Sequence, residues 1–301
     1  MNEPWMKLRP TIAHRRLGAR DVGLVSLATG AELLKSAGKP LLVFRSRFPW
    51  VPAPLLRAAR DWDALIGLQV TALDEGPGGA HRCFEAVAEA AEGAGHRRPF
   101  VLLPPALGEE LEERAESQAQ LYVEAGFSGL CLSGASGAAA AARVIAPAAE
   151  RELGILVVGA APSPELASLL SGSLAQRGGA VAAPSTSGLP ALWQEPEGWG
   201  VSQLIRALPG AGAQGEAILV GPSVEREAQR GLSGALRAQL AQGASPREVK
   251  RALHAEGEAA LDLVEAPLYL WAGEIIEAAG LRGTGLSGRQ ALSEAAIPAE
   301  A

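Results

Sequence analysis

Eight short, unbroken apolar runs recur along the chain, and they constrain its fold more than any other feature. They are residues 23–28 (GLVSLA), 41–44 (LLVF), 64–70 (ALIGLQV), 100–104 (FVLLP), 129–134 (GLCLSG), 155–160 (ILVVGA), 180–184 (AVAAP) and 217–222 (AILVGP). Hydrophobicity that runs on without alternating is the pattern of strands buried on both faces of a parallel sheet. Between the runs lie helix-forming stretches such as PLLRAARDW, HRCFEAVAEAAEGA and SPELASLLSGSLAQRG. Their spacing is close to the ~30-residue βαβ unit, and right-handed crossovers then make the sheet parallel. Eight units predict an α/β fold, a TIM-type (βα)8 barrel. An open doubly wound sheet is the competing topology, but it carries a Gly-rich phosphate turn after its first strand, and LATGAE is not that turn. The 23–28 run also reads as a turn leading into the helix AELLKSA, and 189–215 is irregular, rich in Pro, Gly and Trp.

The 301 residues suit one barrel of about 250 residues with terminal additions. We place an N-terminal extension at 1–20, the barrel at 21–243, a C-terminal helical extension at 244–281 and a flexible Gly/Ser/Ala-rich tail at 282–301. In the extension, Ser245 reads as an N-cap with Pro246 at the first helical position. The stripe Leu253, Leu261, Val264, Leu268, Trp271 and Ile275 must bury itself, either on its own barrel or in a homodimer or partner-subunit contact.

With 48% hydrophobic and 20% charged residues, the chain can build a sizeable core. The net charge of −6 and the lack of a Lys/Arg-rich run exclude nucleic acid as a partner. No segment approaches the ~20 apolar residues of a membrane span, and Cys83 and Cys131 form no CxxC pair. A cytoplasmic protein without disulfides is expected.

Barrel chemistry sits just past the C-terminal end of each strand. There, Arg45 and Arg47 offer two guanidiniums for a phosphate or carboxylate, unless one simply faces solvent. Gln69, Asp74 and Glu75 follow the third run, the acids serving as acid/base groups or as helix caps in a solvated loop. His81 is placed to act as a base or as an exposed helix-start residue. Ser133, the PSTSG residues Ser185, Thr186 and Ser187, and Gly221 and Ser223 at the start of the last barrel helix offer hydroxyls and N–H groups to an anion. Ordinary N-capping by Ser185 and Ser223 explains the same residues.

Several stretches resemble the class II aldolase superfamily, which includes the fructose- and tagatose-bisphosphate aldolases and a non-catalytic accessory subunit. YVEAGFSGLCLSGAS (122–136) resembles its A-G-F-x-S-V-M-I-D-G-S strand, and GGAVAAPSTSG (178–188) its A-V-A-I-G-T-S-H-G strand. Residues 217–253 resemble the closing I-N-V-D-T strand, its helix and the D-P-R-K segment, and PFVLLPPALG (99–108) stands where the family has its Asp-His strand end. The resemblance implies a zinc site and an acid/base pair, but the Asp-His positions hold Pro105 and Ala106. The Asp of I-D-G-S is Ser133, the His of T-S-H-G is missing between Ser187 and Gly188, and H-G-G-S-G has no counterpart. Only His14, His81, His96 and His254 are present, none at a strand end. No metal or cofactor is therefore expected. The chain reads as an aldolase-like barrel that has lost metal-dependent aldol chemistry and serves as an accessory, scaffold or phospho-ligand-binding protein. The alternative is a divergent carbon–carbon lyase or isomerase acting on a small phosphorylated sugar-like substrate.

Overall fold

The computed structural model describes residues 8–73, 78–108, 114–177, 180–184, 191–214 and 217–296. The barrel begins after two helices, α1 (Thr11–Leu17) and α2 (Leu27–Ser36). It then alternates β1 (Leu41–Ser46), α3 (Pro52–Asp61), β2 (Ile66–Val70), α4 (Gly79–Gly93), β3 (Phe100–Leu103), α5 (Ala115–Ala125), β4 (Gly129–Ser133) and α6 (Ala138–Glu150). The second half is β5 (Gly154–Val158), α7 (Pro164–Arg177), β6 (Ala180–Ala182), β7 (Leu192–Gln194), α8 (Val201–Gln214), β8 (Ala217–Val220) and α9 (Pro222–Arg230). Four helices follow: α10 (Gly234–Ala241), α11 (Pro246–Ala255), α12 (Glu258–Ala278) and α13 (Thr284–Ala296).

All strand pairs are parallel, in the orders β3-β2-β1-β8-β7 and β4-β5-β6. Single bridges close the ring: Ala183 with Ala191 joins β6 to β7, and Leu107, just past β3, pairs with Leu132 of β4. Ser128 ties β3 to β4 lower down, its N–H donating to Leu102 O at 2.9 Å and its hydroxyl accepting from Leu102 N at 2.7 Å. An eight-stranded parallel barrel results, as the alternating runs predicted.

One strand differs from the reading above. The 23–28 run is not in the barrel; only Leu24 bridges Phe100, and Ser26 turns the chain into α2 by accepting from Thr29 N at 3.1 Å. The hydroxyls of Ser26 and Thr29 also meet at 2.7 Å. Of the two readings left open for this run, the turn is the one observed. β7 supplies the eighth strand, and three residues with Gln194 among them give no apolar run to detect.

Side-chain parity fixes what faces inward. The Phe44 ring packs edge-on against Trp271 of α12 at 5.8 Å, so Phe44 points to the outer helices and its neighbours Val43 and Arg45 point into the barrel. In register with these lie Gly67 and Gln69 of β2. α2 packs against β1, β3, β5 and β6, strands from different sides of the ring, so it lies across the barrel's base.

The apolar stripe of the C-terminal extension closes on its own barrel. Val264, Leu268, Trp271 and Ile275 of α12 are buried within the single chain, as is Leu253 of α11. Arg57 of α3 reinforces the contact through Glu265 at 2.5 Å. The segment expected as a frayed tail is instead helical over Thr284–Ala296. Its start is tied to the barrel: Thr284 Oγ1 accepts from Leu65 N at 3.0 Å and Gly285 N donates to Asp63 O at 2.8 Å. Small, polar residues suggested fraying, but here the hydroxyl of one of them completes a buried backbone pair. No helix among the described residues is long and apolar enough to cross a membrane.

Candidate functional site

The C-terminal end of the barrel gathers a small polar group. Arg45, near the end of β1, faces the interior, is exposed at the mouth and has no hydrogen-bond or ion-pair partner among the described residues. Beside it stands Gly221, where a Cβ would lie 3.5 Å from Arg45 Cδ. The guanidinium reaches across the barrel electrostatically: burial pushes the Cys131 thiol of β4 well up from its ordinary pKa, and the charge of Arg45 opposes that shift.

Gln69 is the register partner of Arg45 on β2 and is buried. Its Nε2 makes a long contact of 3.4 Å to Pro104 O, and its Oε1 has no partner among the described residues. A buried amide oxygen left unpaired is a strong acceptor aimed at whatever enters. Ser133, at the end of β4, shares the inward parity of Gly129, whose Cβ would meet Leu103 and Leu27. Its Oγ accepts from Ala135 N at 3.3 Å. Gln194 of β7 closes over the end of β5, its Oε1 accepting from Gly159 N at 3.0 Å and its Nε2 donating to Gly159 O at 2.8 Å.

The anion position at the start of α9 is filled by the chain itself. Glu195, immediately after β7, has a buried side chain whose carboxylate accepts from Gly221 N at 3.0 Å and from Ser223 N at 3.0 Å. The Ser223 hydroxyl also donates to it, and Arg226 stands 3.5 Å away. Gly221 and Ser223, expected to hold an external phosphate, therefore have their N–H groups committed to Glu195. The helix terminus does attract a carboxylate, but an intramolecular one. Sequence reading missed Gln194 and Glu195 because the one ends and the other follows the three-residue β7, in a stretch read as irregular.

Other expected residues are dispersed. Arg47 points away from the mouth, pairs with Glu225 at 3.2 Å and stacks over Phe48 at 5.1 Å. His81 meets the Arg16 guanidinium of α1 in the outer helical layer and is not at the mouth. Asp74, Glu75, Ser185, Thr186 and Ser187 lie outside the described residues. Neither is the zinc of the resemblance accommodated where its donors would stand: Pro105 and Ala106 carry no ligand atom, His14 and His254 are exposed on α1 and α11, and His96 is buried against Phe100. Among the described residues, no three His, Cys, Asp or Glu side chains converge on one point.

No protein-family profile matches the chain, and no curated protein matches it in sequence. Solved structures do match. Fructose-bisphosphate aldolase (Fba) from Campylobacter jejuni aligns with a TM-score of 0.57 at 11% identity, over 87% of this chain and 97% of that one. The YdjI aldolase from Escherichia coli K12 aligns with a TM-score of 0.55 at 10% identity, over 87% and 99%. The fold is class II aldolase-like. At such identity the likeness concerns the scaffold, and the chemistry of this aldolase-like barrel has to be argued from its own mouth.

Proposed function

We propose that this aldolase-like barrel binds a small phosphorylated or carboxylated ligand at its mouth as an accessory or ligand-binding protein, without metal-dependent aldol cleavage. The observation that carries the reading is the Arg45 guanidinium, without a partner among the described residues, on the strand register beside Gln69, whose Oε1 is likewise unpaired among them. A fixed cation selects an anionic group, and a buried acceptor selects a hydroxyl or N–H donor beside it, a pairing that fits a sugar phosphate. Aldol chemistry needs an acid/base group and an electron sink at the same point. Among the described residues, those that face this mouth are a guanidinium, amides, a hydroxyl and a buried thiol, and these favour binding over proton transfer near neutral pH.

Calorimetric titration with fructose 1,6-bisphosphate and simpler sugar phosphates, with and without zinc, tests the reading. Saturable zinc-independent binding is expected, and Arg45→Ala should weaken it about tenfold or more, since a charge-assisted hydrogen bond contributes roughly 1.5–3 kcal/mol. Zinc-dependent cleavage of the sugar bisphosphate, or affinity indifferent to Arg45, would overturn it.

A further inference from the structure

A second cavity of about 650 Å³ lies on the other side of the strand wall from the mouth. It is lined by Ser46 and Val70, the outward-facing register partners that end β1 and β2, whereas Arg45 and Gln69 face the barrel interior. α4 forms one side, and the first turns of α11 form the roof. Its floor is apolar, with Phe48, Pro52, Val70, Leu73 and Val87, and Phe48 is stiffened by stacking on Trp50 at 4.7 Å.

Cations predominate in the polar lining among the described residues. Arg47 is paired outside the cavity with Glu225, and it lines the cavity together with Arg82, Arg247, Lys250 and the carboxylate of Glu248. That carboxylate is engaged at its own helix end, accepting from Ser245 N and Ser245 Oγ, each at 2.8 Å. The capping box also fixes the direction of α11, so Arg247 and Lys250 are held over the cavity on a rigid turn. Lys250 is half-buried, with Nζ donating to Pro49 O at 3.2 Å, and desolvation lowers its pKa. A desolvated ammonium gains more from an anion than an exposed one does. The volume falls within the 300–1,000 Å³ of small-molecule sites, and an apolar body with a few convergent charges is the usual lining of such sites.

We propose that this cavity is a binding site for a small organic anion with an apolar body, its phosphate, sulfonate or carboxylate held by Arg247 and Lys250 and its body lying on Phe48 and Val87. The site is separate from the mouth and does not depend on the function proposed there. An ordinary sugar phosphate, polar throughout, is a poor match for the apolar floor, so the two sites select different ligands.

1-Naphthyl phosphate is a suitable probe, followed by its own fluorescence on the full chain. Saturable one-to-one binding is expected, at least tenfold tighter than that of neutral 1-naphthol. Arg247→Gln, at an exposed position that does not threaten folding, and Lys250→Met, which keeps the buried stem, should each weaken it at least fivefold, while Arg45→Ala leaves it unchanged. Binding that is insensitive to both α11 substitutions, equal affinity for 1-naphthol, or loss of binding on Arg45→Ala would each overturn the assignment. Loss through Arg45 alone would place the probe in the mouth and leave the cavity without a ligand role.

Discussion

At the scale of single residues, buried polar groups decide where this barrel is committed and where it is open. Glu195 and Ser223 satisfy one another, so the start of α9 holds its structure with its own carboxylate. Gln69 retains an oxygen unpaired among the described residues, and that asymmetry separates a structural end from a receptive one. His96 is a different case: it is fully buried beside Phe100, and burial, outweighing backbone hydrogen bonding at Leu56 and Arg98, lowers its pKa to about 4. In the unfolded chain the same group titrates near 6.5. The unfolded state therefore binds the proton first as pH falls, so the stabilisation is complete above about pH 6.5 and is lost between there and about 4. At 1.36 kcal/mol per pH unit, moving from pH 7.5 to pH 5 should remove roughly 2 kcal/mol. Urea unfolding at both pH values, compared with His96→Leu, isolates this from the carboxylates. The variant should lose that much less over the interval, and equal losses would mean that His96 is not held neutral.

At the scale of elements, inward glycines set how closely strands approach what lies inside the barrel. A Cβ at Gly129 of β4 would sit 2.7 Å from Leu103 Cδ2 and 2.7 Å from Leu27 Cβ, between β3 and the base helix α2. The Leu103 methyl can swing aside, but Leu27 Cβ is fixed to the backbone of α2 and cannot yield without moving it, so Gly129→Ala should cost about 2 kcal/mol, within the usual range of overpacking. Gly210, inside α8 with nothing within 4 Å of its would-be Cβ, gives the opposite expectation: Gly210→Ala should stabilise by about 0.5–1 kcal/mol. Thermal melts of the pair check both, and a melting temperature for Gly129→Ala at or above the wild type would refute the close packing. The same elements mark what was legible in the sequence. Unbroken apolar runs revealed β1, β2, β3, β4, β5, β6 and β8, because burial on both faces leaves that imprint. β7 left none, as its three residues include Gln194, and with it went Glu195, the residue that closes the site after β8. Arg45 was legible as a strand-end cation, but strand alternation would give Arg47, two residues on, the same face; it differs because β1 stops at Ser46 and Arg47 turns to Glu225, an end point that composition does not carry.

At the scale of the whole molecule, the barrel divides between a base covered by helices and a mouth at the C-terminal strand ends. α2 lies across the base, and α13 closes beside it: a Cβ at Gly288 would meet Leu65 at 3.5 Å and Leu33 at 3.7 Å. The key tie is the Thr284 hydroxyl, which accepts from the buried Leu65 N–H just before β2 and donates to Leu281 O at 2.7 Å. Thr284→Val keeps the shape but leaves that N–H unpaired, and should cost about 1–3 kcal/mol. Removing residues 283–301 should destabilise further, since it also exposes apolar surface at Leu33 of α2 and at Leu65 and takes away the contacts to Asp63. Because Leu65 precedes β2 while Gln69 lies near its far end, neither change should alter ligand affinity at the mouth. Stability conferred at the base and chemistry at the C-terminal ends is the general division of labour in barrels. Chemical denaturation and ligand titration of both variants therefore read the two ends separately. A truncated chain as stable as the full one would reduce α13 to the dispensable tail that its Gly- and Ser-rich composition suggested, whereas a loss of mouth affinity in Thr284→Val would mean that base and mouth are coupled through β2.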